Sequence, residues 1–272
     1  MLALCATPIG NLDDVTLRVL GELRQADLVL CEDTRRTRKL LDRHGVVAEL
    51  VSYHRHNEAA RTAEVLPRLE AGERIALVSD AGLPGINDPG ARLLAAAIAA
   101  GVPTTVLPGP SAVETALVAS GVGAATYRFV GYLPRSERAL ASFWDEIAGS
   151  DEAVVAFESP KRLPATLAAL AQVEHARPVA VCRELTKRFE EVVRGPAADV
   201  AARFEEPPKG EITIVLGAAA GPKASDEDDD AVAIVAELLA EGVGRRRAVE
   251  IVSRLSGVSR NRLYRRSLRS QD

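Results

Sequence analysis

The sequence predicts an α/β protein of two domains that ends in a small helical region, and three observations carry that prediction. Short β-branched or leucine-rich runs alternate with longer segments of helical period. Turns dense in glycine and proline follow those runs directly, where α/β sheets place their ligands. Beyond Gly217 the composition changes abruptly.

Leu2 to Ala6, Leu28 to Cys31, Ile75 to Ser79 and a run ending at Val106 read as strands of a mainly parallel sheet. Thr16 to Ala26, Asn57 to Ala71 and Ala91 to Ala100 read as the helices between them, and residues 1–112 form the first domain. In residues 113–217, strands are expected at Phe129 to Val130, Ala153 to Phe157, Val179 to Arg183, Glu190 to Val193 and Ile212 to Leu216. Helices are expected at Arg138 to Ile147, Leu163 to Gln172 and Ala197 to Phe204, which makes a second α/β domain. Residues 218–230 are small and then acidic, without periodicity, and read as a solvated linker. From Ala231 the apolar positions Val232, Val235, Leu238, Leu239, Val249, Val252, Leu255, Leu263 and Leu268 suit three short helices, with Gly257 in the turn before the third. The pattern resembles a helix-turn-helix.

Charge separates the tail from the rest. Nine arginines oppose four acids after residue 230, so the tail carries +5 and the remainder −9. Such a tail attracts phosphates, with Tyr264 beside its arginines; a solvated cap that only keeps the protein soluble is the other reading. The chain as a whole is at −4, no polycation, and its 47% hydrophobic and 26% charged residues exclude collagen, coiled coil and whole-chain disorder. Cys5, Cys31 and Cys182 are odd in number and far apart, which suggests neither a disulfide framework nor a metal motif and fits a reducing cytoplasm. MLALCATPIG lacks a basic leader and reads as the first strand. No apolar run reaches the roughly 18 residues that span a bilayer, so no membrane association is expected.

Familiar motifs are missing: no GxGxxG after a strand, no GxSxG, no HExxH and no Walker lysine. What remains is a series of turns. TPIGNLDD (Thr7 to Asp14) is a tight loop in which Asp13 or Asp14 can cap the next helix. SDAGLPGINDPG (Ser79 to Gly90) lets backbone approach a ligand, with Asp88 and Pro89 placed as a helix N-cap and N1. PGPSA (Pro108 to Ala112) puts Ser111 at a helix start whose free amides can face a polar group. CEDTRRTRKLL from Cys31 is either a charged helix face or a general base, Asp33 or Glu32, beside a phosphate-binding cluster. SYHRHNE (Ser52 to Glu58) has an HxH pair without a third ligand, so no metal is expected; substrate contact or an N-cap by Asn57 suits it better. FESPKR from Phe157 and CRELTKRFEE from Cys182 gather Glu158, Lys161, Arg162, Glu184, Thr186 and Lys187 past strand ends, as surface ion pairs or as a site.

Together and in this order, TPIGNLDD, CEDTR, SYHxHNE, SDAGLPGIxDPG, PGPSA, GYLPR, FESPKR, CRELTKRFEE and KGEITIVLG resemble the ribosomal RNA small subunit methyltransferase I family, a branch of the tetrapyrrole methylase superfamily. The resemblance runs from about Leu2 to Gly217. It implies the two-domain tetrapyrrole-methylase-like fold of class III methyltransferases. It also implies S-adenosylmethionine as methyl donor, the ribose 2′-hydroxyl of a cytidine in the decoding region of 16S rRNA as acceptor, and a homodimer. Carried over by motif, Pro8, Ser79, Asp80, Ala81, Gly82, Ile86, Ser111, Ala112, Phe157, Leu185, Thr186, Ile212, Thr213 and Ile214 would line the cofactor cleft. Asp33, Glu158 and Lys187 are then the candidates for easing proton loss from the hydroxyl. Arg35, Arg36, Arg38, His54, Arg135 and Arg162, with Arg262 and Arg265 of the tail, would hold RNA phosphates, and no DNA is expected as partner. The sequence departs from the family pattern at Asn87, Arg55 and Ala156.

Two other readings share these features. A methylase acting on a tetrapyrrole would use the same fold but a GGDPxxFG-type loop. A non-catalytic nucleic-acid-binding protein would use the arginine-rich tail alone.

Overall fold

The computed structural model describes residues 1–123, 125–148, 150–219, 226–258 and 260–269. The chain forms two compact units, Met1–Ala219 and Ala220–Asp272.

The first unit holds two five-stranded sheets. One has the order β3-β2-β4-β1-β5 and is wholly parallel, built from β1 (Leu2–Cys5), β2 (Leu28–Cys31), β3 (Leu50–Ser52), β4 (Ile75–Val78) and β5 (Thr104–Leu107). LALC, LVLC and IALV are buried at every position, as continuous apolar runs in a parallel sheet covered on both faces should be. Helices α1 (Leu17–Gln25) and α2 (Thr34–Arg43) cover one face, where Val19, Leu23 and Leu41 meet Ala3, Cys5 and Val29. Helices α3 (Glu58–Glu70) and α4 (Ala91–Ala99) cover the other, through Val65, Leu69, Leu93 and Ala97.

The second sheet has the order β6-β7-β10-β8-β9, from β6 (Tyr127–Tyr132), β7 (Ala153–Glu158), β8 (Pro178–Arg183), β9 (Glu191–Pro196) and β10 (Ile212–Leu216). Its β6–β7 pair is parallel and the others are antiparallel. Helices α6 (Glu137–Ile147), α7 (Leu163–Val173) and α8 (Ala197–Arg203) pack on one face with Trp144, Leu167 and Val200. The opposite face receives α5 (Ala112–Ser120) through Val113 and Ala116, together with Ile9 from the loop after β1. That loop joins the two sheets into one body.

Several local expectations are corrected. β3 went unpredicted because three residues cannot display a period. Thr16, not Asp13 or Asp14, caps α1, its Oγ1 accepting from Val19 N at 3.2 Å; the two acids lie in a 3₁₀ turn capped by Asn11. Asn57 precedes α3 but turns its amide back to the Ser52 carbonyl. Gly90, not Asp88, is the N-cap residue of α4, which frees the Asp88 carboxyl for other contacts.

In the second unit, α9 (Asp226–Ala240), α10 (Arg245–Ser256) and α11 (Arg260–Arg269) surround Ala231, Val235, Ala248, Val249, Val252 and Leu263. Gly257 closes α10 in the left-handed region, as a C-terminal cap should. The acidic run from Asp226 to Asp230 opens α9, where negative charge favours the helix dipole, so the expected linker ends sooner than its composition suggested. Leu255, expected in the core, is exposed.

Candidate active site

The first wall of the site comes from backbone. Thr7 and Gly82 pair as an isolated antiparallel bridge, with Thr7 N donating to Gly82 O at 2.8 Å and Gly82 N returning a bond to Thr7 O at 3.0 Å. The Thr7 hydroxyl donates to Ser79 O at 3.0 Å, and the buried Ser79 hydroxyl donates to Gly82 O at 3.1 Å. At the far end of the turn Gly90 N donates to Glu58 Oε1 at 3.1 Å. The 79–90 turn is therefore tied to β1, to itself and to α3.

The second wall comes from the other sheet and is carried mostly by side chains. Phe157 lines the cleft, with the Phe129 and Tyr132 rings edge-on to it at 5.0 and 5.7 Å. Gly10 fits beneath the 184–187 turn so closely that a Cβ there would lie 2.5 Å from Lys187 Cγ and 2.8 Å from Leu185 O. Glu184 and Thr186 in that turn take positive φ values of 52° and 64°, and Asn87 across the cleft takes 62°. Left-handed conformations of non-glycine residues concentrate at functional sites.

Between the walls lies a cleft of about 990 Å³, and a smaller pocket of about 370 Å³ shares Ile9, Arg36, Asp80, Ala81 and Glu211 with it. Of the predicted cofactor residues, the cleft is lined by Asp80, Ala81, Gly82, Ile86, Ser111, Ala112, Phe157, Leu185, Ile212 and Thr213. Pro8 and Ser79 line only the smaller pocket. Thr186 faces neither; its hydroxyl accepts from Asn11 N at 3.0 Å. Ile214 packs into the core under α6 to α8 and lines neither cavity.

The three catalytic candidates are not brought together. Glu158 lines the cleft, yet its side chain is fully buried, accepts from Thr166 Oγ1 at 2.7 Å and Ser159 N at 2.6 Å, and pairs with Arg162 at 3.3 Å. Lys187 lines the smaller pocket, held between Glu184 and Glu211 at 2.8 Å each, and these partners keep its ammonium protonated beyond the usual lysine range. Asp33 lines neither cavity; Arg35 grips its carboxylate at 2.8 and 3.1 Å and holds its pKa down to about 2. A carboxylate so stabilised is a poor base.

Of the arginines, Arg36 lines both cavities and Arg135 the larger, while Arg35, Arg38, His54 and Arg162 line neither. Arg162 instead donates to the Leu133 and Pro134 carbonyls and fixes that segment. The side chains of Arg262 and Arg265 lie outside the described residues.

Glu32, Arg55, Asn87, Asp88, Tyr132 and Glu211 line the cleft without having been predicted as site residues, although Glu32 stood beside Asp33 as an alternative base. Burial, Glu32 and Asp80 together push Asp88 up to about 6, and burial also raises Glu32. Asp88 stands in the 79–90 ligand turn of the sequence, but its place before Pro89 equally describes a helix cap, so that turn alone does not single out its carboxyl.

Main chain and acidic groups on one wall of the cleft thus face aromatic rings on the other, and the family comparisons make the chain a methyltransferase. The model of the Tetrapyrrole (Corrin/Porphyrin) Methylases matches residues 1–201, and that of the RsmI C-terminal HTH domain matches residues 225–271. Proteins called ribosomal RNA small subunit methyltransferase I are similar along nearly the whole chain. The one from Mycobacterium tuberculosis (strain ATCC 25618 / H37Rv) is 44% identical over 99% of this chain and 95% of its own. That from Micromonospora olivasterospora is 42% identical over 97% of this chain and 85% of its own. Among solved structures, the methyltransferase CobJ superposes with a TM-score of 0.62 at 20% identity, covering 80% of this chain and 94% of its own, which supports the fold. The chain belongs to the tetrapyrrole methylase family, in the branch of the ribosomal RNA small subunit methyltransferases I.

The residues present suit S-adenosylmethionine. Ser111 directs its hydroxyl to Glu114 and leaves the first turn of α5 without a side-chain cap, so amides near Ala112 and Val113 are available to a carboxylate. Glu32 and Asp80 offer negative charge to an ammonium and a sulfonium. Among the described residues, no helix is long and apolar enough to cross a membrane.

Proposed function

We propose that this chain, acting as a cytoplasmic homodimer, methylates the ribose 2′-hydroxyl of a cytidine in the decoding region of 16S rRNA within the small ribosomal subunit. When bound, S-adenosylmethionine supplies a methyl group already activated by its sulfonium, so the protein's work is positioning and proton removal. The observation that carries the reading is the two-walled cleft, where the 80–82 main chain and the start of α5 face Phe157, Ile212 and Thr213.

The turn tied down by Thr7, Ser79 and Glu58 orients the donor's polar end, and Phe157 with Leu185 excludes water. Asp88 Oδ is the acceptor proposed for the hydroxyl proton, since its raised pKa keeps it basic enough to act near neutrality while it is still ionised there. Glu158 acts as a positioning residue through Arg162, and Lys187 holds positive charge at the edge of the smaller pocket. Arg36, Arg55 and Arg135 supply cations for the RNA backbone in the cleft, and exposed Arg246, Arg247, Arg254 and Arg260 supply them on the helical unit.

Tritiated methyl transfer to small subunits from a strain lacking the enzyme, followed by nuclease mapping, tests the reading. Label on the 2′-oxygen of one cytidine is expected; label on a base, or on no RNA, overturns it. Asp88→Asn should lower kcat by about 100-fold, within the range for general-base removal, with donor affinity kept.

A further inference from the structure

Strand β6 carries one residue too many for its partner. Phe129 stands opposite Val155 and Tyr132 opposite Phe157, so three steps on β6 match two on β7. Gly131, at φ 69°, absorbs the extra step, and a Cβ there would come within 3.2 Å of Asn87 Oδ1. The consequence is a change of face. Regular alternation would send Tyr132 to the same side as Val130, which packs against the α6 to α8 core. The bulge instead turns it to the side of Phe129 and Phe157, into the cleft, a re-aiming for which bulges beside active sites are known.

Tyr132 is then supported on one side only. The Phe157 ring meets it at an interplanar angle of 64°, while 62% of the residue stays open to solvent. Ile86, 53% exposed, lines the same cleft one residue before Asn87, whose side chain abuts Gly131. Arg135 lines it three residues further along, in a segment that Arg162 anchors by two carbonyls. A large apolar surface held open beside a cation is unfavourable for the free protein and calls for a flat, uncharged occupant attached to an anion.

We propose that Tyr132 is the stacking platform for the base of the target nucleotide, which is turned out of its RNA so that its ribose can enter the cleft. This inference rests on the RNA-methyltransferase reading and names the part of the substrate that the second wall recognises. A ribose hydroxyl within a stacked strand cannot reach a recessed donor, and an extruded base needs a new π-face in place of the neighbours it leaves. Arg135 then meets the adjoining phosphate.

Tyr132→Ala, Tyr132→Phe and Tyr132→Trp are compared with the unaltered enzyme on two RNAs containing the mapped methylation site, one with cytidine there and one with an abasic ribonucleotide. S-adenosylmethionine affinity is measured by calorimetry in parallel. Loss of base stacking predicts about a ten-fold or larger fall in kcat/KM for Tyr132→Ala on the cytidine RNA. Donor affinity stays unchanged, Phe and Trp restore the rate, and the abasic RNA shows no difference between Ala and Tyr. An equal fall on both RNAs, an unchanged rate on the cytidine RNA, or a matching loss of donor affinity, as if the ring served the donor's adenine, overturns the proposal. If the unaltered enzyme binds donor yet methylates neither RNA nor subunits, the RNA reading itself fails.

Discussion

The two halves of the larger unit make their walls of the cleft by different means. In the parallel half, the turn against β1 is held main chain to main chain or by short hydroxyls to main chain, at Thr7, Ser79 and Gly82, with Glu58 and Asp80 adding carboxylate contacts to backbone amides. In the mixed half the wall depends on long side chains: Phe157, Tyr132 and the buried Glu158 with its half-buried partner Arg162. Its supporting edge hangs on the fully buried Arg177, which donates to Gly217 O and Ile147 O at 3.0 Å and pairs with Glu174 at 2.5 Å. On the proposed reading the methyl donor is met largely by backbone, which substitution alters little, and the RNA acceptor by side chains, which substitution alters freely.

Arg177→Ala should give the largest effect. Removing the guanidinium strands two buried carbonyls and a carboxylate, for a loss of about 3 kcal/mol in chemical denaturation. Hydrogen exchange should quicken in β8 and β10 before β1 and β4; simultaneous quickening would show that the halves do not differ as described. Gly10→Ala tests their junction. Its Cβ has no room beneath the 184–187 turn, and a cost of about 2 kcal/mol is expected, with weakened S-adenosylmethionine binding. Unchanged affinity would mean that the two walls tolerate displacement.

Asp88→Asn has a smaller effect that depends on pH. The folded pKa of about 6 lies above the unfolded value, so the native state binds the extra proton and stability falls as pH rises through the interval from about 4 to 6. The substitution should therefore stabilise at pH 8 by about 1 kcal/mol, allowing for partial screening by solvent, and do little at pH 4. Stabilisation at both values would locate the effect in packing. Last, Arg43→Ala breaks the solvent-exposed pair with Asp13 and should leave the melting temperature unmoved.

Strands β1, β2, β4 and β10 were legible in the sequence because their apolar runs are continuous and bounded by turns. The glycine turn from Ser79 also read clearly as a ligand loop. Side-chain partners did not. That Arg35 neutralises Asp33, or that Glu184 and Glu211 enclose Lys187, depends on residues brought together by folding. Tyr132 escaped notice for another reason: a bulge reverses the parity by which strand residues are assigned to faces, and no run of residue types announces it.

The bridge between Thr7 and Gly82 has a kinetic corollary. On the proposed reading, in which the 79–90 segment orients the donor's polar end, the ties at Thr7 and Glu58 fix that segment, so donor uptake should require no slow rearrangement of it. Stopped-flow traces of donor uptake should be single exponentials whose observed rate climbs in proportion to concentration without reaching a plateau.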